Sequence, residues 1–88
     1  NVAVGNSAGG AITTGAHNTL IGGLVGDALT TGQRNVAMGY GSLSSDTAGQ
    51  RNVALGFQAL SNQNFTSSTD VYNTAVGFGA GAWCFVFS

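Results

Sequence analysis

The sequence predicts an all-β chain wound as a β-solenoid of about five coils. Three observations carry that prediction. A five-residue motif, Asn-Val/Thr-Ala/Leu-aliphatic-Gly, recurs at a nearly constant spacing. Glycines and threonines recur at fixed places within the unit. The motif itself alternates large apolar with small residues, as a strand does.

The motif reads NVAVG at Asn1, NTLIG at Asn18, NVAMG at Asn35, NVALG at Asn52 and NTAVG at Asn73. The spacings are 17, 17, 17 and 21. Aligned on Asn, position 13 of the unit is Thr13, Thr30 and Thr47, and position 15 is Gly15, Gly32 and Gly49. Position 17 is His17, Arg34 and Arg51. A 17-residue unit is too short for a helix pair, a propeller blade or a leucine-rich repeat. It lacks a sustained i, i+3, i+4, i+7 apolar stripe, and its recurrent glycine weakens a helix. It fits a short strand, a glycine turn, a second short strand and a polar turn. Extended, 17 residues span about 56 Å, enough for one flattened coil. Coils stacked about 4.8 Å apart give a rod segment roughly 24 Å tall.

The elements follow in order. Val2–Val4, Val36–Met38 with Tyr40, and Val53–Leu55 with Phe57 alternate with small residues. Unit positions 2, 4 and 6 carry the large apolar side chains and are expected to form the packed core. Positions 3 and 5, mostly Ala and Gly, suit close approach by another backbone. A strand that is apolar on both faces should be covered on both. One thin solenoid has one interior, so Ala37, Gly39, Ala54, Gly56, Ala75 and Gly77 are expected to pack against neighbouring chains. The leading asparagines, Asn1, Asn18, Asn35, Asn52 and Asn73, are expected to form a hydrogen-bonded ladder from coil to coil. The fourth unit carries an insertion, expected as a surface loop at residues 64–72, with Phe65 and Tyr72 as anchors. Its Asn64-Phe65-Thr66 fits an N-glycosylation acceptor, which matters only in a eukaryotic secretory setting. The atypical end at residues 83–88 holds Trp83, Phe85, Val86 and Phe87, which are expected to cap the solenoid or continue into a following segment. The whole of residues 1–88 reads as one repeat domain.

Composition narrows the function. Five charged side chains, Arg34, Arg51, Asp27, Asp46 and Asp70, make up 6% of the chain, and the net charge is −1. With no basic patch, nucleic-acid binding through phosphate neutralisation is not expected. No apolar run reaches the roughly 20 residues of a bilayer-spanning helix, so membrane insertion is not expected either. The single Cys84 excludes an internal disulfide framework and a cysteine-cluster metal site. The chain starts with Asn, carries no legible signal peptide, and reads as an excised or processed piece of something longer.

No catalytic constellation is legible, and neither a metal nor a cofactor is expected. Cys84 and His17 stand some four coils apart, too far for a nucleophile and its base. Asp27 and Asp46 occupy non-equivalent unit positions, unlike a facing glycosidase pair. Gly77-Phe78-Gly79-Ala80-Gly81 lacks the flanking helix and acidic residue of a dinucleotide site. The column His17, Arg34 and Arg51 is the candidate ligand surface, suited to an anionic glycan or phosphate, or else a solvated edge that blunts aggregation. Tyr40, Phe57 and Phe78 share position 6, where they stack on a sugar or pack in a core. The rows Thr13-Thr14 and Thr30-Thr31 raise ice binding, but the row breaks at Thr47-Ala48.

The stretches NVAMGYGSL, NVALGFQAL and NTAVGFGAG resemble the repeats of trimeric phage tail fibres, which read Asn-Thr-Ala-Val-Gly-Tyr-x-Ala-Leu before a Thr-Gly-rich turn. They are also similar to the head repeats of trimeric autotransporter adhesins, stacked as left-handed β-rolls in a three-chain bundle. The likeness covers nearly all of residues 1–82 and is most specific at 35–43, 52–60 and 73–81. Asn18-Thr19-Leu20-Ile21-Gly22 departs from it, with Leu20 in the usual Ala place. The 17-residue unit is longer than the adhesin repeat and favours the fibre side. The resemblance implies a non-enzymatic homotrimeric fibre segment, extracellular or virion-borne (cell-surface if an adhesin), displaying a host receptor- or glycan-binding surface. The alternatives are a monomeric β-solenoid module binding ice or polysaccharide, and a subunit of an end-to-end filament.

Overall fold

The computed structural model describes residues 1–66 and 69–81. Five three-residue strands, one per motif, form a single parallel sheet: β1 (Val2–Val4), β2 (Thr19–Ile21), β3 (Val36–Met38), β5 (Val53–Leu55) and β7 (Thr74–Val76), stacked in that order. Two shorter strands, β4 (Gly49–Gln50) and β6 (Thr69–Asp70), pair on another side of the coil. The chain is therefore a parallel β-solenoid of about four turns, the fifth motif strand opening the next.

Like lies on like. Ala3 pairs with Leu20, Leu20 with Ala37, Ala37 with Ala54 and Ala54 with Ala75. Inter-coil backbone hydrogen bonds also run outside the strands. Gly39 N donates to Ile21 O at 2.9 Å, Leu43 N to Ala59 O at 2.9 Å and Thr30 N to Thr47 O at 2.9 Å. Stacking satisfies peptide groups that a lone 17-residue coil would leave unpaired.

The turns need unusual backbone. The motif glycines Gly5, Gly22, Gly39, Gly56 and Gly77 all have φ between 111° and 131°. A Cβ on Gly39 would lie 2.7 Å from the carbonyl carbon and oxygen of Gly56. Position 17 is left-handed in every coil described, at His17, Arg34, Arg51 and Tyr72, with φ from 56° to 62°. These non-glycine residues hold a conformation that costs about 1 kcal/mol each, compensated by the stacking that repeats it.

The packed face is the reverse of the one expected from the sequence. Position 3 points inward: Leu20, Ala37 and Ala54 are at most 1% exposed and Ala75 is 7% exposed. Positions 2 and 4 point outward: Val4 is 58%, Met38 47% and Val76 67% exposed. Val25 and three leucines from outside the motif strands, Leu29, Leu43 and Leu60, pack with the position 3 side chains in one core. Little room remains beneath the strand, so position 3 must be small. Where it is Leu20, the coil yields elsewhere: a Cβ on Gly26 would meet Leu29 Cδ1 at 2.9 Å and Leu20 Cδ2 at 3.1 Å. Coils three and four invert the trade, with Ala37 and Ala54 at position 3 and the buried Leu43 and Leu60 at the place of Gly26. The departure of Leu20 from the motif is a volume exchange inside one core.

The repeat register persists past residue 64, the expected start of the insertion. Ala48 N still donates to Phe65 O, 17 residues on. Gly49 then pairs with Thr69 and Val53 with Thr74, offsets of 20 and 21. Three of the four extra residues fall between Phe65 and Thr69 and the fourth between Asp70 and Thr74.

Candidate functional site

The asparagine column runs through the buried corner before each motif strand. Asn18 N donates to Asn1 Oδ1 at 2.9 Å, Asn35 N to Asn18 Oδ1 at 3.0 Å and Asn52 N to Asn35 Oδ1 at 3.0 Å. Asn35 Nδ2 and Asn52 Nδ2 also donate to the amide oxygen one coil before, at 3.1 and 2.9 Å. Asn18 Nδ2 donates to Gly32 O and Asn35 Nδ2 to Gly49 O. Asn18, Asn35 and Asn52 are no more than 1% exposed. Burial of so polar a column is tolerated because the amides of Asn18 and Asn35 both donate and accept.

The ladder changes at the insertion. Asn52 Oδ1 is buried with no hydrogen-bond partner among the described residues. Asn73 Nδ2 donates instead to Gln63 Oε1 at 2.7 Å. Gln63 Nε2 donates to Asp46 Oδ2 at 2.6 Å, and Asp46 Oδ1 accepts from Gly49 N and Phe65 N at 3.0 and 2.9 Å. Asp46 and Gln63 are fully buried. Asp46 is thus a structural carboxylate committed to three donors, which restores the corner where register slips by four residues. Asp27 is half-buried at a different unit position. The two do not occupy matching places in adjacent coils.

The column at position 17 divides. His17 and Arg34 are exposed. Arg51 is held by the insertion: Nε lies 3.0 Å from Asp70 Oδ1 and the guanidinium sits 5.6 Å from the Tyr72 ring centroid. Arg51 Nη1 also donates to Tyr72 Oη at 3.4 Å. The sequence missed Tyr72 as the fourth member of this column, although its place immediately before Asn73 marks it. Arg51 therefore clasps the insertion, and His17 and Arg34 are left as the solvent-facing part of the candidate anionic-ligand surface.

Ala37, Ala54 and Ala75, expected to touch neighbouring chains, instead face the interior of their own coil. The close approach expected of Gly39 and Gly56 is made to the next coil of the same chain, Gly39 against Gly56 and Gly56 against Gly77. The hydroxyls of the threonine row turn along the stack: Thr13 Oγ1 donates to Thr30 O and Thr30 Oγ1 to Thr47 O, both at 3.3 Å, and Thr47 Oγ1 donates to Phe65 O at 3.0 Å. They serve as rungs between coils. Cys84 and residues 83–88 lie outside the described residues.

The outer surface carries the features that the fold itself does not use. Tyr40, Phe57 and Phe78 stack along the axis with centroids 5.7 and 4.9 Å apart and interplanar angles of 18° and 8°. The outward face of the sheet carries Val4, Ile21, Met38, Leu55 and Val76 in one apolar column, and Val2, Val36 and Val53 in register with Thr19 and Thr74. Beside Phe78 a cleft of about 420 Å³ is lined by Ser44, Ser45, Gln58, Ser61, Asn62, Phe78 and Gly79. No helix among the described residues is long and apolar enough to cross a membrane. No family model matches the chain, and no curated protein or solved structure is significantly similar to it.

Proposed function

We propose that the chain is a structural segment of a homotrimeric fibre, virion-borne or on a cell surface, with no catalytic role. The observation that carries this reading is the outward face of the five-stranded sheet. Val4, Met38 and Val76 stand exposed in one apolar column, with Ile21 and Leu55 between them in register. An apolar stripe that follows the stack for roughly 20 Å is costly in water and marks an interaction surface. Three parallel copies around one axis can bury the same stripe together, and closed rotational symmetry leaves no face of it unpaired. The likeness of residues 35–43, 52–60 and 73–81 to trimeric tail-fibre repeats supplies the number three. The interface of this reading is the Val/Met face, in place of the alanine-glycine face.

Sedimentation equilibrium tests it. The chain is expected at three times 8.7 kDa, and Met38→Asp, which sets a carboxylate on each copy of the face, is expected to give a folded monomer. A wild-type chain that stays monomeric at about 100 μM, where even a micromolar interface is saturated, would sink the proposal. Long fibres in micrographs at the same concentration would select the filament alternative.

A further inference from the structure

We propose that the cleft beside Phe78 is a binding site for an uncharged saccharide. Its lining is chemically selective. Ser44, Ser45 and Ser61 supply hydroxyls, and Gln58 and Asn62 supply side-chain amides. Each of these groups both donates and accepts, the pairing that sugar hydroxyls need. Phe78, 83% exposed, supplies an aromatic wall for the apolar face of a pyranose ring. Among the described residues, no Arg, Lys, His, Asp or Glu lines the cleft. A sulfated, sialylated or phosphorylated ligand would find no counter-charge there. The volume of about 420 Å³ falls within the roughly 300–1,000 Å³ of small-molecule sites.

The site is also built on rigid parts. Its residues come from three successive coils and occupy the turn that follows the motif glycine. Phe78 is fixed against Phe57 by near-parallel stacking at 4.9 Å. Gln58 N donates to Tyr40 O and Gly79 N to Phe57 O, at 2.8 and 2.7 Å. Gln58 holds φ at 54°, the turn conformation that Ser7, Leu24, Gly41 and Gly79 share at the same place in the other coils. Its side chain lines the cleft. The arrangement differs from the anionic surface expected at His17 and Arg34, both in place and in ligand charge.

The inference rests on the fibre reading only for the source of the ligand, a surface glycan. The test uses the full chain in its own oligomeric state. Maltotriose, cellotriose and lactose are titrated to about 10 mM, enough to reveal a millimolar site, while amide chemical shifts are followed; a sulfated heparin fragment is the anionic comparison. The expected result is saturable shifts at Gln58, Ser61, Asn62 and Gly79 with at least one neutral sugar. Two variants, Gln58→Ala/Asn62→Ala and Ser44→Ala/Ser61→Ala, should each weaken binding about tenfold, the worth of one or two net hydrogen bonds, with unchanged circular dichroism. No neutral sugar bound, shifts confined to His17 and Arg34, or full binding by both variants would each overturn the proposal. Mass measured on the same samples separates the two readings. A trimer that binds no sugar sinks the cleft alone, and a monomer that binds sugar sinks the fibre alone.

Discussion

Replacing Asn35 by Ala removes the middle rung of the buried amide column. Asn35 makes four side-chain hydrogen bonds: to Asn18 Oδ1, to Gly49 O, and from the backbone and side-chain nitrogens of Asn52. Asn18 Oδ1 keeps the bond from the Asn35 backbone at 3.0 Å. Three groups then lose these bonds: the Gly49 carbonyl, the Asn52 N–H and the Asn52 amide. Each orphaned buried group costs about 1–3 kcal/mol, and water entering the space of the lost amide recovers part of it. The net expectation is a loss of about 4 kcal/mol, a large share of the roughly 5–15 kcal/mol that holds a domain of this size. Asn1→Ala is the matched control. Asn1 makes the same kind of bonds, to Gly15 O and from Asn18 N, but it is exposed, so water replaces the lost partner. Its expected cost is about 1 kcal/mol or less. The assay is urea denaturation followed by circular dichroism, at fixed protein concentration because association adds to apparent stability. If the two variants differ by less than about 1 kcal/mol, burial is not what gives the rungs their value and the reasoning fails.

Three further expectations follow from the packing. Leu20→Ala alone should cost about 2–5 kcal/mol and Gly26→Leu alone about 1–3, whereas the double variant, which imitates coil three, should lose at least about 1.5 kcal/mol less than their sum; strict additivity in a denaturation cycle would refute the volume exchange. Gly39→Ala drives a Cβ to 2.7 Å from the Gly56 carbonyl and should cost more than about 3 kcal/mol, while Gly79→Ala, with nothing within 4 Å of the new atom and φ of 63°, should cost only about 1 kcal/mol; equal melting temperatures for the two would count against the close approach of coils. Ala54→Phe should unfold the chain itself, because Ala54 is fully buried in its own coil; a folded variant that merely fails to associate would restore the alanine face as the interface.

Much of the fold was legible because a repeat states its own register. Equal spacing of Asn1, Asn18, Asn35 and Asn52 forces equivalent residues into columns, and parallel stacking follows once each coil must pair its backbone with the next. The rungs themselves follow from what an amide can do at a buried corner. Less of the candidate surface was legible. Tyr72 entered the column of Arg51 only through a break in spacing. The cleft beside Phe78 is assembled from turn residues that look like solvent-facing serines and amides in the linear sequence. The repair of the corner by Asp46 and Gln63 was also hidden, since it joins residues of two coils across a slipped register.

The motif strand shows where the sequence stops deciding. Its alternation establishes two faces, one large and apolar, one small, and nothing more. Hydrophobicity alone favours Val, Met and Phe for the inside. The tertiary structure decides otherwise because a coil of 17 residues encloses a narrow space, and Leu29, Leu43 and Leu60 from outside the motif strands already pack into it. Only Ala, or Leu20 with a glycine given up across from it, fits beneath the strand. Period and register were therefore written in the chain. Which side of the strand meets the solvent was settled by the volume left inside the coil.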